Sequence, residues 1–151
     1  MQISTRRFGS LEVAPERIIH FPLGLLGFET RQRFVLIDSD QVAPMRWMQS
    51  VDDPTLAFLV VDPTLFFPTY EVTLTPEELR VLDHHAGEDV AVLGLVVVPE
   101  DPAQMTINLL GPLVLNADKH LGMQVVMHDS GYTARQRLLP DTVEPEKPAL
   151  V

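Results

Sequence analysis

The sequence contains no cysteine among its 151 residues. This absence excludes a disulfide framework and any metal site built from thiolates. The longest aliphatic run, residues 90–98, is far shorter than the roughly 20 residues that a helix needs to cross a bilayer. The N-terminal arginines are not followed by an apolar stretch, so no signal peptide is indicated. We therefore expect a protein that has no membrane contact and stays in the cytoplasm.

Basic residues are scarce in one part of the chain. Residues 51–118 contain twelve Asp and Glu side chains and a single basic residue, Arg80, whereas the stretches on either side are close to neutral. Phosphate contact needs a basic stripe, so this distribution disfavours direct binding to nucleic acid. Two interpretations of the acidity stay open. In the first, the acids flank the apolar runs 56–61 and 90–98 and so reduce aggregation. In the second, they form an acidic face that binds a basic partner.

Patterns typical of catalysis or metal binding are also missing. No serine lies in a GxSxG setting, no P-loop or GxGxxG is present, and the cluster at 83–89 lacks the HExxH spacing. The adjacent acids at 52–53 and 77–78 are expected to point apart. We predict a protein that is not an enzyme and uses no cofactor or metal. A small hydrolase is the catalytic alternative, and it would use His20, His120 or His128.

Thirteen prolines break the chain into short pieces, which favours short strands over long helices. Apolar or alternating segments predict an opening hairpin that turns at Gly9-Ser10, followed by strands at 18–21, 34–37, 45–51, 56–61, 69–74, 90–98, 105–110, 112–115 and 123–128. The single helix is predicted at about 76–86, with Thr75 as N-cap, Glu78 completing a capping box and Gly87 ending the helix.

This inventory predicts a mainly β fold. The most economical arrangement is one compact, antiparallel, β-barrel-like or sandwich domain with one short helix. We expect that domain to span residues 1–139 and residues 140–151, which are rich in proline and polar side chains, to form a disordered tail.

Two segments combine glycine and proline with large aliphatic side chains: FPLGLLGFE at 21–29 and TINLLGPLVLN at 106–116. Such a composition predicts tight turns that carry apolar side chains, either for a core or for a docking surface. Six segments, these two motifs among them, follow one another in the order of a known family. They are ISTRRFGSLEV (3–13), IIHFPLGLLGFE (18–29), FVLID (34–38), MQSVDDPTLAFLVVDP (48–63), TINLLGPLVLN and MQVVMHDSGYTARQRL (123–138).

Taken together, these segments resemble the flagellar assembly factor FliW family. The two motifs are the specific part of the match, and the family more often has alanine in place of Gly111. The resemblance implies a β-barrel-like protein that binds flagellin at its helical terminal region in the cytoplasm. It also implies binding to the translational regulator CsrA, an RNA-binding dimer that represses flagellin mRNA. Flagellin and CsrA would compete for the factor, which would couple flagellin synthesis to secretion.

We accordingly expect flagellin and CsrA as partners and a monomer in their absence. The alternative is a general β-barrel chaperone or adaptor with a client unrelated to flagella. The candidate partner-binding residues are Leu25, Leu26, Phe28, Glu29, Asp52, Asp53, Glu71, Glu77, Glu78, Asn108 and Asn116. Glu88 and Asp89 extend the acidic candidates, and Phe66 and Phe67 extend the apolar ones. For the apolar residues the alternative is core packing, and for the two asparagines it is bonding to backbone in turns.

Overall fold

The computed structural model describes residues 1–139, so the tail predicted at 140–151 lies outside the described residues. The strands are β1 (Gln2–Thr5), β2 (Gly9–Glu12), β3 (Ile19–His20), β4 (Arg33–Asp38), β5 (Arg46–Ser50), β6 (Ala57–Val61), β7 (Val90–Val97), β8 (Thr106–Ile107), β9 (Leu113–Asn116), β10 (Leu121–Gln124) and β11 (Gln136–Arg137). Helix α1 spans Pro76–Val81, and short 3-10 turns occupy Pro15–Arg17, Pro63–Leu65 and Pro102–Gln104. Within the described part of the chain, no helix has the length and apolar character needed to traverse a membrane.

Seven strands close into a barrel in the order β7-β6-β5-β4-β3-β10-β9, because β9 pairs with β7 as well as with β10. The pairings are antiparallel except for a single parallel contact between His20 of β3 and Leu121 of β10. Strands β8 and β11 continue the sheet beside β7. The prediction of a mainly β, barrel-like fold is confirmed, and the closed ring rules out the two-sheet sandwich.

The principal core fills the barrel interior. Phe21, Phe34, Met48, Val60 and Leu113 are fully buried there. The rings of Phe21 and Phe34 meet edge to face, with their centroids 5.5 Å apart. Because successive side chains of a strand point to opposite faces, alternate residues of each barrel strand supply this interior.

The opening hairpin covers the outside of the barrel. Ile3 and Val13 pack with Val35 of β4 and with Val51 in a second cluster. The predicted turn at Gly9-Ser10 is wrong, because β2 begins at Gly9. The chain turns between the two strands instead, where the Thr5 hydroxyl oxygen accepts a hydrogen bond from the Phe8 N–H at 2.8 Å.

Helix α1 begins as predicted and ends earlier. Both hydrogen bonds of the Thr75–Glu78 capping box are present, but the last helical residue is Val81 and not residue 86. Leu82 is fully buried, and its carbonyl oxygen accepts a hydrogen bond from the Asn116 side chain at 2.9 Å. Asp83 then takes a positive φ of 50°. Tertiary contacts of Leu82 therefore end the helix before Gly87 is reached.

The predicted strand at 69–74 is also wrong, since residues 70–75 form no ladder with another strand. This segment is held by a side chain instead: Tyr70 is buried and its hydroxyl donates to the carbonyl oxygen of Leu109 at 2.7 Å. Alternation along 69–74 therefore marks a segment outside the sheet whose alternate side chains, Tyr70, Val72 and Leu74, pack against the core clusters.

Candidate partner-binding surfaces

The first motif builds an exposed apolar surface, here called the apolar tip, from Leu23, Leu26 and Phe28. Their exposed fractions are 59%, 60% and 41%, whereas Leu25 between them is 2% exposed and belongs to the barrel core. Phe28 donates a backbone hydrogen bond to the Leu25 carbonyl at 2.7 Å, which closes a tight turn. The tip is therefore anchored in the core by one leucine and presents three apolar side chains to solvent.

The backbone of this turn depends on Gly24. Its φ is +66°, and a Cβ placed there would stand 2.5 Å from the Cα atom of Glu29. Only glycine combines this conformation with such a close approach. The Glu29 carboxylate in turn accepts a hydrogen bond from the Gly27 N–H at 3.0 Å. Glu29 thus braces the turn that carries the tip.

Gln124 joins the tip to the second motif. Its side-chain oxygen accepts a hydrogen bond from the Leu26 N–H at 3.0 Å, and its Nε2 donates to the Gly111 carbonyl at 2.9 Å. Phe28 also packs edge-on against Phe58, with ring centroids 5.4 Å apart. Leu23 and Gln124 were absent from the sequence candidates. Leu23 could have been found from its place in the motif, but no local signal identifies Gln124.

Asp52 and Asp53 each lie beside an arginine. The guanidinium of Arg33 contacts the Asp52 carboxylate, and this hydrogen bond is the main cause that lowers the pKa of Asp52. Asp53 accepts hydrogen bonds from the hydroxyl and N–H of Thr55, which lower its pKa, and it also contacts Arg31 at 3.3 Å. These two acids therefore stay ionised, but their charge is balanced by neighbouring cations.

Glu71 and Glu77 present a different situation. Both side chains are exposed, and no Lys, Arg or His within residues 1–139 forms an ion pair with them. Glu78 is half-buried and accepts the Thr75 N–H at 2.8 Å as part of the capping box. The structure thus divides the acidic candidates into a balanced pair and an unbalanced group near the start of α1.

The cluster at 83–89 is organised around a lysine. Lys119 Nζ lies 3.1 Å from an Asp83 carboxylate oxygen and 3.5 Å from a Glu88 carboxylate oxygen. The hydrogen bond to Asp83 is the main cause that raises the pKa of Lys119. In the described residues, no three His, Asp or Glu side chains converge as metal ligands. The cluster therefore fastens the end of α1 to the loop before β10.

Asn108 and Asn116 form hydrogen bonds with backbone groups inside the fold. The side-chain oxygen of Asn108 accepts the N–H groups of Leu110 at 3.1 Å and Gly111 at 2.8 Å. Asn116 is fully buried and donates to the Leu82 carbonyl. Phe66 and Phe67 are half-buried against the second core cluster. These four positions shape the turns and the core next to the surfaces described above.

The closed barrel, the apolar tip and the unbalanced acids define a small β-barrel protein whose distinctive features lie on its surface. A family model described as FliW protein matches residues 2–138. The chain belongs to the FliW family, and the resemblance drawn from the six sequence segments is confirmed.

The sequences of individual relatives match this chain over nearly its whole length. The flagellar assembly factor FliW of Natranaerobius thermophilus is 39% identical over 142 residues, which cover 93% of this chain and 94% of the relative. The flagellar assembly factor FliW of Geobacter sulfurreducens is 38% identical over 148 residues, covering 98% of this chain and 92% of the relative. A crystal structure of the flagellar assembly factor FliW superimposes with a TM-score of 0.88 at 34% identity, over 95% of this chain and 100% of that one.

Proposed function

We propose that this protein is a non-enzymatic flagellar assembly factor that binds flagellin in the cytoplasm and antagonises the translational regulator CsrA. Family membership supports the flagellar role. The observation that carries the proposal is the apolar tip, in which three large side chains stand in solvent on a turn anchored by the buried Leu25. An exposed apolar cluster on a braced turn favours a macromolecular partner over a small-molecule substrate.

The apolar tip is the proposed flagellin site. The helical terminal region of flagellin that the family resemblance implies would present an apolar stripe, and a helix of this kind docks its apolar face on exposed apolar side chains. Leu23, Leu26 and Phe28 would make the contact. Leu25 would hold the turn in place through its burial in the core, and Glu29 through its hydrogen bond to the Gly27 N–H. Binding would remove the exposed apolar area of the tip from water, which is the main favourable contribution.

The unbalanced acids are the proposed CsrA site. A protein that binds RNA carries basic surface, and Glu71 and Glu77 are exposed acids that form no ion pair with any residue of 1–139. Asp52 and Asp53 would contribute less, because Arg33 and Arg31 already balance them. Glu78 would add its charge while keeping its capping role. When flagellin leaves the tip after export, the protein would become free to engage CsrA and relieve repression.

Size-exclusion chromatography of the purified protein with flagellin, with CsrA and with both tests the proposal. We expect each partner to co-elute alone and flagellin to displace CsrA when both are present. The CsrA complex should weaken as salt rises, since exposed charges are screened, whereas the flagellin complex should persist. If neither partner co-elutes at low or moderate salt, the proposal is wrong. A pull-down that recovers a client unrelated to flagella would favour the general chaperone or adaptor.

A further inference from the structure

One half of β7 has an edge that no strand of residues 1–139 covers, here called the β7 slit. Strand β9 pairs with Val90–Leu93 along one edge of β7. On the other edge, β6 pairs only with Gly94, Leu95 and Val96. The chain leaves β6 after Val61 and enters the 3-10 turn Pro63–Leu65 instead of continuing alongside β7. The first half of β7 therefore pairs with β9, and the second half pairs with β6 on the opposite edge.

The backbone groups that point into the slit belong to Val90 and Val92. The Leu95 carbonyl accepts the Asn108 N–H at 2.9 Å on the β8 side. Backbone groups alternate between the two edges of a strand, so odd-numbered residues face β8 and β9 and even-numbered ones face β6 and the slit. Within the described chain, the N–H and C=O groups of Val90 and Val92 form no hydrogen bond on that side. An unpaired strand edge of this kind is a template for another strand.

The slit opens into free space. A cavity of about 450 Å³ lies between residues 90–93 and Pro44, Arg46, Asp62 and Thr64. A second cavity of about 330 Å³ shares Arg46, Ala91 and Leu93, and it is walled by inward-facing leucines at the mouth of the barrel. A strand laid along β7 would therefore have room for its backbone in the first cavity and for one apolar side chain in the second.

The charge along Val90–Leu93 is net negative, and the opposite charges of Glu16 and Arg17 in the wall of the second cavity cancel in sum. Asp62 follows β6 and Asp89 precedes β7, both are exposed, and neither forms an ion pair in residues 1–139. Asp62 caps the 3-10 turn by accepting the Thr64 N–H at 2.9 Å, which leaves its charge in place. Arg46 is balanced by Asp38, with Nε 2.7 Å from the carboxylate oxygen. A basic occupant would complement the slit.

We propose that a short, extended, basic segment of a partner protein adds to the sheet in the β7 slit. It pairs with the backbone of Val90 and Val92, places one apolar side chain at the barrel mouth and sets its basic residues beside Asp62 and Asp89. Of the two partners proposed above, the RNA-binding one is the basic one. The identification of the occupant as CsrA therefore rests on the proposed function, and the β7 slit is then a second CsrA contact in addition to Glu71 and Glu77.

Amide hydrogen exchange of the full chain, followed by NMR with and without CsrA, tests the pairing. We expect the Val90 and Val92 amides to exchange freely in the protein alone and to slow about tenfold or more in the complex. Val90→Pro removes the donor at the first position of the strand, where proline is tolerated, and should weaken CsrA binding about tenfold. Val90→Thr keeps the N–H and the β-branched shape, so it should bind like the wild type.

Neutralisation of Asp62 and Asp89 tests whether the occupant of the slit is basic. This test does not depend on whether the Val90→Pro variant folds. Asp62→Asn combined with Asp89→Asn keeps the oxygen that caps Thr64 and should weaken CsrA binding several-fold at low salt. Asp101→Asn combined with Glu100→Gln is the matched control, because it also removes two exposed negative charges and Asp101 caps the Pro102–Gln104 turn in the same way beyond the far end of β7. This control should leave binding unchanged.

The outcomes separate this inference from the proposed function. A CsrA complex in which Val90 and Val92 gain no protection overturns the β7 slit alone. Absence of any complex defeats both proposals. Protection of these amides by flagellin instead of CsrA contradicts the assignment of a basic occupant. Protection that grows with protein concentration when no partner is present identifies a second copy of the chain as the occupant and also overturns the proposal.

Discussion

The backbone N–H of Leu26 donates a hydrogen bond to the side-chain oxygen of Gln124 at 3.0 Å, across 98 positions of the chain. The same side chain donates to the Gly111 carbonyl at 2.9 Å, so one amide joins the two glycine-containing motifs. The apolar tip is therefore held by the barrel wall as well as by its own turn. Its geometry is set before any partner arrives, which lowers the ordering cost of binding.

Gln124→Leu should loosen the apolar tip. Both hydrogen bonds are lost, and we expect the free energy of unfolding to fall by about 1 kcal/mol. Flagellin affinity should fall as well, because the turn is no longer fixed. Urea unfolding and a binding titration measure the two effects. Gln124→Glu keeps the acceptor for the Leu26 N–H but cannot donate to Gly111, so it should lie between wild type and Gln124→Leu. Unchanged stability and affinity in both variants would contradict this role.

Leu26→Ser should weaken flagellin binding about tenfold or more with little effect on folding. Leu26 is 60% exposed, so its replacement removes contact area for a partner and no core packing. Leu65→Ser provides the control, since Leu65 is 59% exposed and lies outside the tip. Titration of flagellin into each variant, together with thermal unfolding, tests this. Equal effects of the two substitutions on flagellin affinity would show that the tip is not the binding site.

Removing the unbalanced acids should affect CsrA binding more than removing the balanced ones. Glu71→Gln with Glu77→Gln takes away two charges that form no ion pair in the described part of the chain, so affinity should drop several-fold at low salt. Asp52→Asn with Asp53→Asn makes the same change in net charge beside Arg33 and Arg31, and its effect should be smaller. Affinities measured at two salt concentrations compare the pairs. A larger effect of the aspartate pair would indicate that CsrA binds at Asp52 and Asp53 and not at Glu71 and Glu77.

Tyr70→Phe should destabilise the fold by about 1 kcal/mol, because the Leu109 carbonyl loses a buried donor. Burial raises the pKa of Tyr70 to about 12 from the ordinary value of 10.0. Between these two pH values the unfolded chain has lost the phenolic proton and the folded protein retains it, so stability should fall as pH rises.

Denaturant unfolding at several alkaline pH values measures this dependence. The loss attributable to Tyr70 should be absent in Tyr70→Phe. Tyr132→Phe serves as the comparison, because the ring centroids of Tyr132 and Tyr70 lie 4.8 Å apart and the Tyr132 hydroxyl has no hydrogen-bond partner in the described residues. Since the charge of Tyr132 adds to the effect of burial in raising the pKa of Tyr70, this variant should keep the pH dependence in a weaker form, whereas Tyr70→Phe should lose it. An identical pH dependence in wild type and Tyr70→Phe would show that another group titrates.

Local signals predicted much of the secondary structure. The apolar run at 90–98 became β7, and the Thr75–Glu78 capping box formed as expected. Predictions failed where a distant contact competes with the local pattern. Helix α1 ends at Val81 because Leu82 is drawn into the core and held by Asn116. The alternation at 69–74 marks a segment fastened by the Tyr70 hydroxyl and not a strand.

The surface candidates were harder to rank from sequence. Composition located the acidic stretch, but the balancing of Asp52 and Asp53 depends on Arg33 and Arg31 from another part of the chain. Likewise, the motif FPLGLLGFE predicted apolar side chains on a turn, but it did not show that Leu25 is buried and Leu26 is exposed. Adjacent leucines have the same local propensity, and only the position of the turn on the barrel distinguishes them.

The sequence by itself determined the β-rich class, the start of the helix, the acidic centre and family membership, because each depends on residue type and spacing along the chain. Tertiary structure alone decided that β9 returns to β7 and closes the barrel. Among residues 1–139, it also decided which acids form no ion pair, which leucines face solvent and which edge of β7 has no pairing strand. Those properties arise from pairings between segments far apart in the chain, whose energy appears only when the folded backbone brings them together.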